Sequence, residues 1–147
     1  QKKNQYSPIK RDVDFSGVSI VRGMKEFLDQ SEIFKEIGGV HSVLLYSEDY
    51  EILCEDIGRH NAFDKIAGIL LKKQKLELIK KSVVYLSGRI SSEIMIKAIR
   101  LGVPVIVSRS TPTAAGIRLA KEYNITLLGY VRGNRGCIYT VPERISS

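Results

Sequence analysis

Two patterns of hydrophobic and polar residues alternate along this chain. Short apolar runs bounded by turn residues are typical of strands, and longer segments with an apolar residue every three or four positions are typical of amphipathic helices. The first helical stripe contains Val18, Met24 and Leu28 and ends at Gly38-Gly39, a common way for a helix to stop. The pattern predicts strands at 41–47, 51–55, 82–86, 103–107, 125–131 and 137–141, and helices at 17–34, 60–73, 92–101 and 112–124.

The order of these elements predicts the fold class. A leading hairpin followed by alternating strands and helices is typical of an α/β protein, and we predict a three-layer α/β/α sandwich with a mixed sheet. The 147 residues suffice for one hydrophobic core. We therefore predict a single domain over residues 16–147, and a polar segment, residues 1–15, that is a flexible lead-in from a missing N-terminal region.

An arginine-containing polar loop follows three of the predicted strands and precedes a helix each time. Parallel strands end at one edge of a sheet, where helix N-termini offer free N–H groups and the positive end of the helix dipole. We therefore predict a cleft at this edge for a large anionic ligand that carries phosphate. The candidate ligand contacts are Arg59, His60, Asn61, Ser87, Gly88, Arg89, Ser91, Ser108, Arg109, Ser110 and Thr113.

Helix capping is a second explanation for several of these residues. Ser, Thr and Asn side chains accept hydrogen bonds from the first free N–H groups of a helix. Capping needs one hydroxyl group per helix, whereas the third loop offers four, and it does not explain the arginines. Both explanations stay open at this point, as does a structural role for His60. The candidate caps are Asn61, Ser91 or Ser92, and Ser110 or Thr111 followed by Pro112 at the first helical position.

Two further arginines follow the last long strand. The segment is either a basic hairpin turn or a clamp in which the arginine forks bind phosphate and an aromatic ring lies beside the ligand. The candidate contacts in this segment are Tyr130, Val131, Arg132, Gly133, Asn134 and Arg135.

The charge balance favours an anionic partner. The chain has 23 Lys and Arg residues against 16 Asp and Glu residues, a formal net charge of +7. Its 7 Tyr and 4 Phe residues do not alternate with the basic loops as stacking platforms for nucleic acid do, so we expect no nucleic-acid partner. No apolar run approaches the length of a membrane span and no secretory signal is visible, so we expect a cytoplasmic protein without a membrane partner.

The two cysteines, and the lack of known phosphate-binding and metal-binding motifs, exclude several kinds of site. Cys54 and Cys137 form no C-x-x-C pair, and we expect both to be buried, unreactive thiols in a reducing compartment. The chain has no P-loop and no G-x-G-x-x-G after its first strand. It also lacks the histidine and cysteine signature of the zinc deaminases, so we expect no directly bound metal.

Taken in this order, the motifs resemble the FdhD/NarQ family, the accessory sulfurtransferases of formate dehydrogenase. The resemblance covers residues 17–145, and no single motif would carry it alone. The matching stretches are Gly38-Gly39-Val40-His41, residues 55–62 with Asp64-Lys65, Ser87-Gly88-Arg89 with Ser91 and Glu93, Ser108-Arg109-Ser110 with Pro112-Thr113, and residues 129–132 with Arg135 and Tyr139-Thr140.

The resemblance implies both a fold and a function. The implied fold is cytidine-deaminase-like, without the deaminase zinc site, in a cytoplasmic homodimer. Family members carry sulfur from a cysteine desulfurase to the molybdenum or tungsten bis(molybdopterin guanine dinucleotide) cofactor, before that cofactor enters formate dehydrogenase. The family's cofactor-binding stretch falls on residues 130–135, and GDP-like nucleotides are expected analogues of this cargo.

One departure from the family pattern changes what we expect of this chain. The family places its sulfur-carrying cysteine in a C-x-x-C motif upstream of the matching region, and this chain has no such motif. We therefore expect the C-terminal, cofactor-binding domain of a longer sulfur carrier, which binds the cofactor but does not transfer sulfur by itself. The alternatives are a nucleotide-metabolising enzyme of deaminase-like fold and a basic nucleic-acid binding module.

Overall fold

The computed structural model describes residues 7–10, 14–30, 41–47, 50–132 and 135–146, except for the side chains of Arg59, His60 and Arg132. Helices within this part are α1 (Gly17–Gln30), α2 (Arg59–Lys72), α3 (Ser92–Leu101) and α4 (Ala114–Glu122), with short 3-10 helices at Leu76–Lys81 and Pro142–Arg144. Strands are β1 (Phe15–Ser16), β2 (His41–Ser47), β3 (Tyr50–Asp56), β4 (Val83–Leu86), β5 (Val105–Ser108), β6 (Thr126–Arg132), β7 (Arg135–Thr140) and β8 (Ile145–Ser146).

The central sheet is mixed and has the strand order β3-β2-β4-β5-β6-β7. Strands β4, β5 and β6 are parallel, whereas β2 runs antiparallel to both of its neighbours and β7 runs antiparallel to β6. Because two reversals separate β3 from β4, the four strands β3, β4, β5 and β6 all end at the same edge of the sheet. The predicted α/β class with a mixed sheet is confirmed.

Helices cover both faces of this sheet. On one face, Phe63 of α2, Ile94 of α3 and Ala120 of α4 belong to a core cluster with alternate residues of the strands, such as Val84 and Ile106. On the other face, α1 packs on the intervening strand residues. Residues on this second face include Ile20, Met24 and Phe27 of α1, with Leu44, Tyr85 and Val107 of the sheet. Strands that are buried on both faces explain the continuous apolar runs in the sequence.

Two helices begin elsewhere than the sequence predicts. Helix α2 starts after Gly58, and Asn61 does not cap it because Asn61 lies inside the first turn of the helix. Helix α4 starts at Ala114 with Thr113 as its N-cap, and Pro112 lies outside the helix because it forms a parallel bridge with Ile90. The predicted Asn61 cap, the Ser110 or Thr111 cap and the helical Pro112 are therefore wrong, while Ser91 caps α3 as one of its two candidates.

The beginning and end of the domain are joined, which the hydrophobic pattern did not indicate. Strand β1 pairs in parallel with β8. The Ile9 N–H donates to the Tyr123 carbonyl (2.8 Å), and the Asn124 side-chain amide donates to the Ile9 carbonyl (2.7 Å). Part of the segment that the sequence assigned to a flexible lead-in thus has fixed partners. Residues 31–40, including Gly38-Gly39, lie outside the described residues.

Tyr85 links α1 to the middle of the sheet. Its ring is fully buried, and its hydroxyl donates to the Ile20 carbonyl of α1 (2.9 Å). Gly23 lies against this hydroxyl, and a Cβ atom there would collide with it. Burial raises the pKa of Tyr85 far above its ordinary value.

The raised pKa of Tyr85 makes the contribution of this residue depend on pH. At pH 7 the Tyr85→Phe variant should lose about 1 kcal/mol of unfolding free energy, the value of one hydrogen bond. Above about pH 10 the unfolded chain releases the Tyr85 proton while the folded protein keeps it, which destabilises the wild type alone by about 1.4 kcal/mol at pH 11. Urea unfolding should therefore show that the deficit of the variant disappears by pH 11, and a constant deficit at both pH values would contradict this.

Candidate functional site

The site that the topology assembles is the sheet edge at which β3, β4, β5 and β6 end, which we call the rim. It consists of residues 56–61 between β3 and α2, residues 87–91 between β4 and α3, residues 109–113 between β5 and α4, and residues 129–132 at the end of β6. The structure therefore brings together the backbone of all three predicted loops. It also brings the end of β6, with Tyr130, to the same edge.

Serine residues fasten the rim segments to the sheet and to each other. Ser42 of β2 and Ser87 bond in both directions: the Ser42 N–H donates to the Ser87 Oγ (3.0 Å), and the Ser87 N–H donates to the Ser42 carbonyl (3.1 Å). The Ser108 Oγ donates to the Gly88 carbonyl (2.7 Å) and accepts from the Ser110 N–H (2.9 Å). The second and third loops therefore hold each other in place.

Backbone contacts extend this connection to β6. The Thr113 N–H donates to the Ile90 carbonyl (3.0 Å), beside the bridge between Ile90 and Pro112. The Tyr130 N–H donates to the Ser110 carbonyl (3.1 Å). A continuous set of hydrogen bonds thus runs along the rim from β2 to β6, so a ligand bound across it would meet preorganised groups.

Several predicted ligand contacts have structural partners in this arrangement. The Ser91 Oγ caps α3 by accepting from the Ile94 N–H (3.3 Å), and the Thr113 Oγ1 caps α4 by accepting from the Gly116 N–H (3.0 Å). Ser108 is fully buried, and its hydroxyl is used between the loops. The side chains of these residues shape the rim, and the predicted ligand contacts by them stay predictions.

An acidic group lies at the β3 end of the rim and is already neutralised. Lys65 forms an ion pair with Asp56 (2.9 Å), and the Gly58 N–H also donates to the Asp56 carboxylate (3.2 Å). The hydrogen bond from Lys65, followed by that from Gly58, lowers the pKa of Asp56 below its ordinary value. The carboxylate therefore stays charged and paired, and it leaves the excess positive charge of the rim to the arginines.

The predicted arginine cluster is described only in part. Arg89 is exposed and Arg109 is half-buried, on adjacent loops that the Ser108 hydroxyl joins. Arg135 is exposed at the start of β7, opposite Arg132 in the ladder. The predictions for the side chains of Arg59, His60 and Arg132, and for Gly133 and Asn134, fall outside the described residues. Because these side chains are not described, the single positive pocket stays a prediction.

Tyr130 has an unusual backbone conformation within a strand. Its φ is +55°, in the left-handed region that non-glycine residues rarely adopt, and 44% of its surface is exposed. The ladder between β6 and β7 is irregular at this point, so the strand bulges and turns Tyr130 outward while Val131 is buried. Such strain in a rigid surrounding is a sign of a functional position.

Two residues that position the rim were missed by sequence reasoning. Gly129 is required by close packing, because a Cβ atom there would lie 2.9 Å from the Tyr139 ring and 3.1 Å from the Ser110 carbonyl oxygen. Ser42 is buried and holds both Ser87 and the Glu55 carboxylate (3.0 Å). A glycine inside an apolar strand is a recognisable signal of close backbone approach, whereas nothing local marks Ser42.

The two cysteines have different surroundings. Cys54 is buried, as expected, and burial raises the pKa of its thiol although Lys65 opposes this shift. Cys137 is exposed on β7, so the expectation of burial is wrong for this residue. The sequence suggested burial because the strand is apolar, but β7 is the edge strand of the sheet.

Within the described part of the chain, no group of three or more His, Cys, Asp or Glu side chains is arranged to hold a metal ion. None of the described helices combines the length and the apolar character needed to cross a bilayer.

Comparison with known proteins places this chain in a family. The sequence profile of the FdhD/NarQ family matches residues 1–146. The chain belongs to the FdhD/NarQ family. A relative called sulfur carrier protein FdhD in Bacillus pumilus is 44% identical over 135 residues, which are 91% of this chain and 51% of the relative. The protein of the same name in Sulfolobus acidocaldarius is 38% identical over 144 residues, 97% of this chain and 56% of the relative.

A solved structure of similar fold supports the FdhD/NarQ assignment. It is a Desulfotalea psychrophila protein described as a formate dehydrogenase accessory protein, with a TM-score of 0.86 and 32% sequence identity. The match covers 98% of this chain and 61% of that protein. The chain spans about half the length of the curated FdhD relatives that it matches.

Proposed function

We propose that this domain binds the molybdenum or tungsten bis(molybdopterin guanine dinucleotide) cofactor at the rim, as part of a sulfur carrier that matures formate dehydrogenase. The cofactor is cargo in this proposal, and it receives its sulfur while it is bound. The single observation that supports the proposal best is the continuous hydrogen-bonded rim, which presents polar groups of four chain segments along one sheet edge. Open α/β sheets bind ligands at this edge.

The chemistry of the rim suits a ligand with several phosphate groups and flat rings. Each guanine dinucleotide carries a pyrophosphate, and arginine forks bind such oxygen atoms through paired N–H groups. We assign this role to Arg89 and Arg109, which lie on adjacent loops. We assign it also to Arg135, which begins β7 beside the end of β6. We assign a stacking role to the exposed ring of Tyr130, against a guanine or pterin ring.

The cysteines indicate that cofactor binding and sulfur transport belong to different parts of the sulfur carrier. A persulfide carrier needs an accessible thiolate, whereas Cys54 is buried with a raised pKa. Cys137 is exposed but does not belong to a C-x-x-C motif, in which the family carries its sulfur. We therefore assign cofactor binding, and not sulfur transport, to the described domain. The proposal also includes a cysteine desulfurase as the sulfur donor and formate dehydrogenase as the recipient of the cofactor. It further includes a homodimer and a cytidine-deaminase-like fold.

Tyr130 variants test the stacking role, with GDP as the probe. Loss of the ring should weaken GDP binding about tenfold in both Tyr130→Ala and Tyr130→Gly, since one stacked base contributes about 1–3 kcal/mol. Tyr130→Phe keeps the ring and should bind within about twofold of the wild type. Isothermal titration calorimetry measures all three.

The strain at Tyr130 provides an internal control. Glycine adopts a φ of +55° without strain, whereas alanine does not. Urea unfolding should therefore find Tyr130→Gly more stable than Tyr130→Ala by about 1 kcal/mol, even though both have lost GDP affinity. If GDP affinity instead followed stability across the two variants, the ring would be structural and the stacking role would be refuted.

A further inference from the structure

A cavity among the described residues lies at the opposite edge of the sheet from the rim. Its volume is about 490 Å³, within the range of small-molecule sites. It is located between the start of α1, the end of β2 and the start of β4, and its lining includes Ser19, Ser47 and Val83. We call it the α1 cavity. Because β2 runs antiparallel to β4, its last residues lie beside the first residues of β4, far from the rim.

One part of the α1 cavity is aromatic. Phe15, Tyr46 and Tyr85 all contribute to its wall, and the Tyr46 and Tyr85 rings meet edge to face with their centroids 6.4 Å apart. Tyr85 is fully buried behind this wall, and its hydroxyl is occupied by the Ile20 carbonyl (2.9 Å), so the accessible rings are those of Phe15 and Tyr46. Walls of this kind favour a flat ring over a flexible aliphatic chain.

The remaining wall offers hydrogen-bond donors and a positive charge. Lys81, at the end of the 3-10 helix before β4, contributes an ammonium group. The Ser16 Oγ accepts from the Ser19 N–H (3.0 Å), which leaves the Ser16 hydroxyl proton for an acceptor. The Asp14 carboxylate also lines the cavity.

We propose that the α1 cavity is a second binding site, for a small organic anion that carries a planar ring. The ring lies against Phe15 and Tyr46, and the anionic group pairs with Lys81. This inference does not depend on the proposed function, because no rim residue lines the cavity.

Two dyes that differ by one charged group test this proposal. The first, 1-anilinonaphthalene-8-sulfonate, has the ring and the anion, and N-phenyl-1-naphthylamine has the same rings without the sulfonate. Fluorescence titration of the 147-residue chain should show saturable binding of the sulfonate dye. Lys81→Ala should weaken it about tenfold and leave the neutral dye within twofold, since one charge-assisted contact is lost.

The matched control is Lys80→Ala. Lys80 is the neighbouring lysine and pairs with Glu77 (3.8 Å), but it does not line the cavity. It should leave both dyes unaffected, and equal losses in the Lys80 and Lys81 variants would reduce the effect to net charge and overturn the proposal. Ser19→Leu fills the cavity and should abolish binding of both dyes, with folding checked by circular dichroism.

A measurement on the unaltered chain covers the case in which Ser19→Leu does not fold. Nuclear Overhauser effects should connect protons of the sulfonate dye to the rings of Phe15 and Tyr46, the partly exposed aromatic side chains of the cavity wall. Saturable binding without these contacts would place the dye elsewhere on the surface and would refute the site. Binding that follows the rim arginines would refute it equally.

Discussion

Replacing Arg144 with methionine is expected to lower the free energy of unfolding by about 3–5 kcal/mol, the largest stability effect that we expect of any single substitution in this domain. Arg144 is fully buried near the end of the described chain. Its guanidinium group donates to four backbone carbonyls and to the Thr126 hydroxyl. The strongest bond goes to the Asn124 carbonyl (2.6 Å), with others to Ile9 (3.2 Å), Lys10 (3.1 Å) and Pro104 (3.3 Å).

The size of the effect follows from what methionine leaves behind. Methionine fills much of the same volume but donates no hydrogen bond, so all four carbonyls lose the guanidinium group, and only those of Ile9 and Pro104 keep another donor among the described residues. These carbonyls belong to three separate parts of the chain: the segment at Ile9 and Lys10, the turn before β5 and the turn before β6. Arg144 therefore joins the first described residues to the sheet, and its loss should release them.

Urea unfolding and hydrogen exchange measure the two consequences separately. The unfolding midpoint should fall in Arg144→Met, and the Ile9 amide, which donates to Tyr123, should lose its protection from exchange in native conditions. Arg118→Met is the matched control, because Arg118 is exposed on α4 and should change stability by less than about 0.5 kcal/mol. A loss below about 1 kcal/mol in Arg144→Met would mean that water replaces the guanidinium group without cost.

Removing Arg89 and Arg109 together should weaken GDP binding about 100-fold. Each guanidinium group that binds phosphate through charge-assisted hydrogen bonds contributes about 1.5 kcal/mol or more, and the two losses add when both contact the same pyrophosphate. Stability should change little through Arg89, which is exposed. Calorimetric titration of Arg89→Ala/Arg109→Ala with GDP, at fixed ionic strength, measures the effect.

The control for this prediction removes the same charge elsewhere. Arg22 on α1 and Arg118 on α4 are both exposed, and Arg22→Ala/Arg118→Ala lowers the net charge by the same amount away from the rim. This control should lose less than about threefold in affinity, as expected of long-range attraction alone. Equal losses of GDP affinity in the two double variants would refute cofactor binding at the rim. Such a result would leave dye binding in the α1 cavity unaffected.

Local sequence patterns predicted most of the secondary structure because periodicity is a local property. The bounds of α3 and β2 agree with the prediction residue by residue, and the element order of the central sheet is correct. Errors arose where a distant partner decides the outcome. Pro112 pairs with the distant Ile90, so α4 begins two residues later than expected.

The sequence by itself determined the family, the α/β class and the segments that form the rim, because motifs and hydrophobic periods are written along the chain. Only the tertiary structure decided that Arg144 is buried, that Cys137 is exposed and that Ser42 fastens the second loop. These outcomes depend on which groups meet across the fold. Packing between distant segments decides whether a residue is buried and which hydrogen-bond partners it meets. The sequence around that residue does not contain this information.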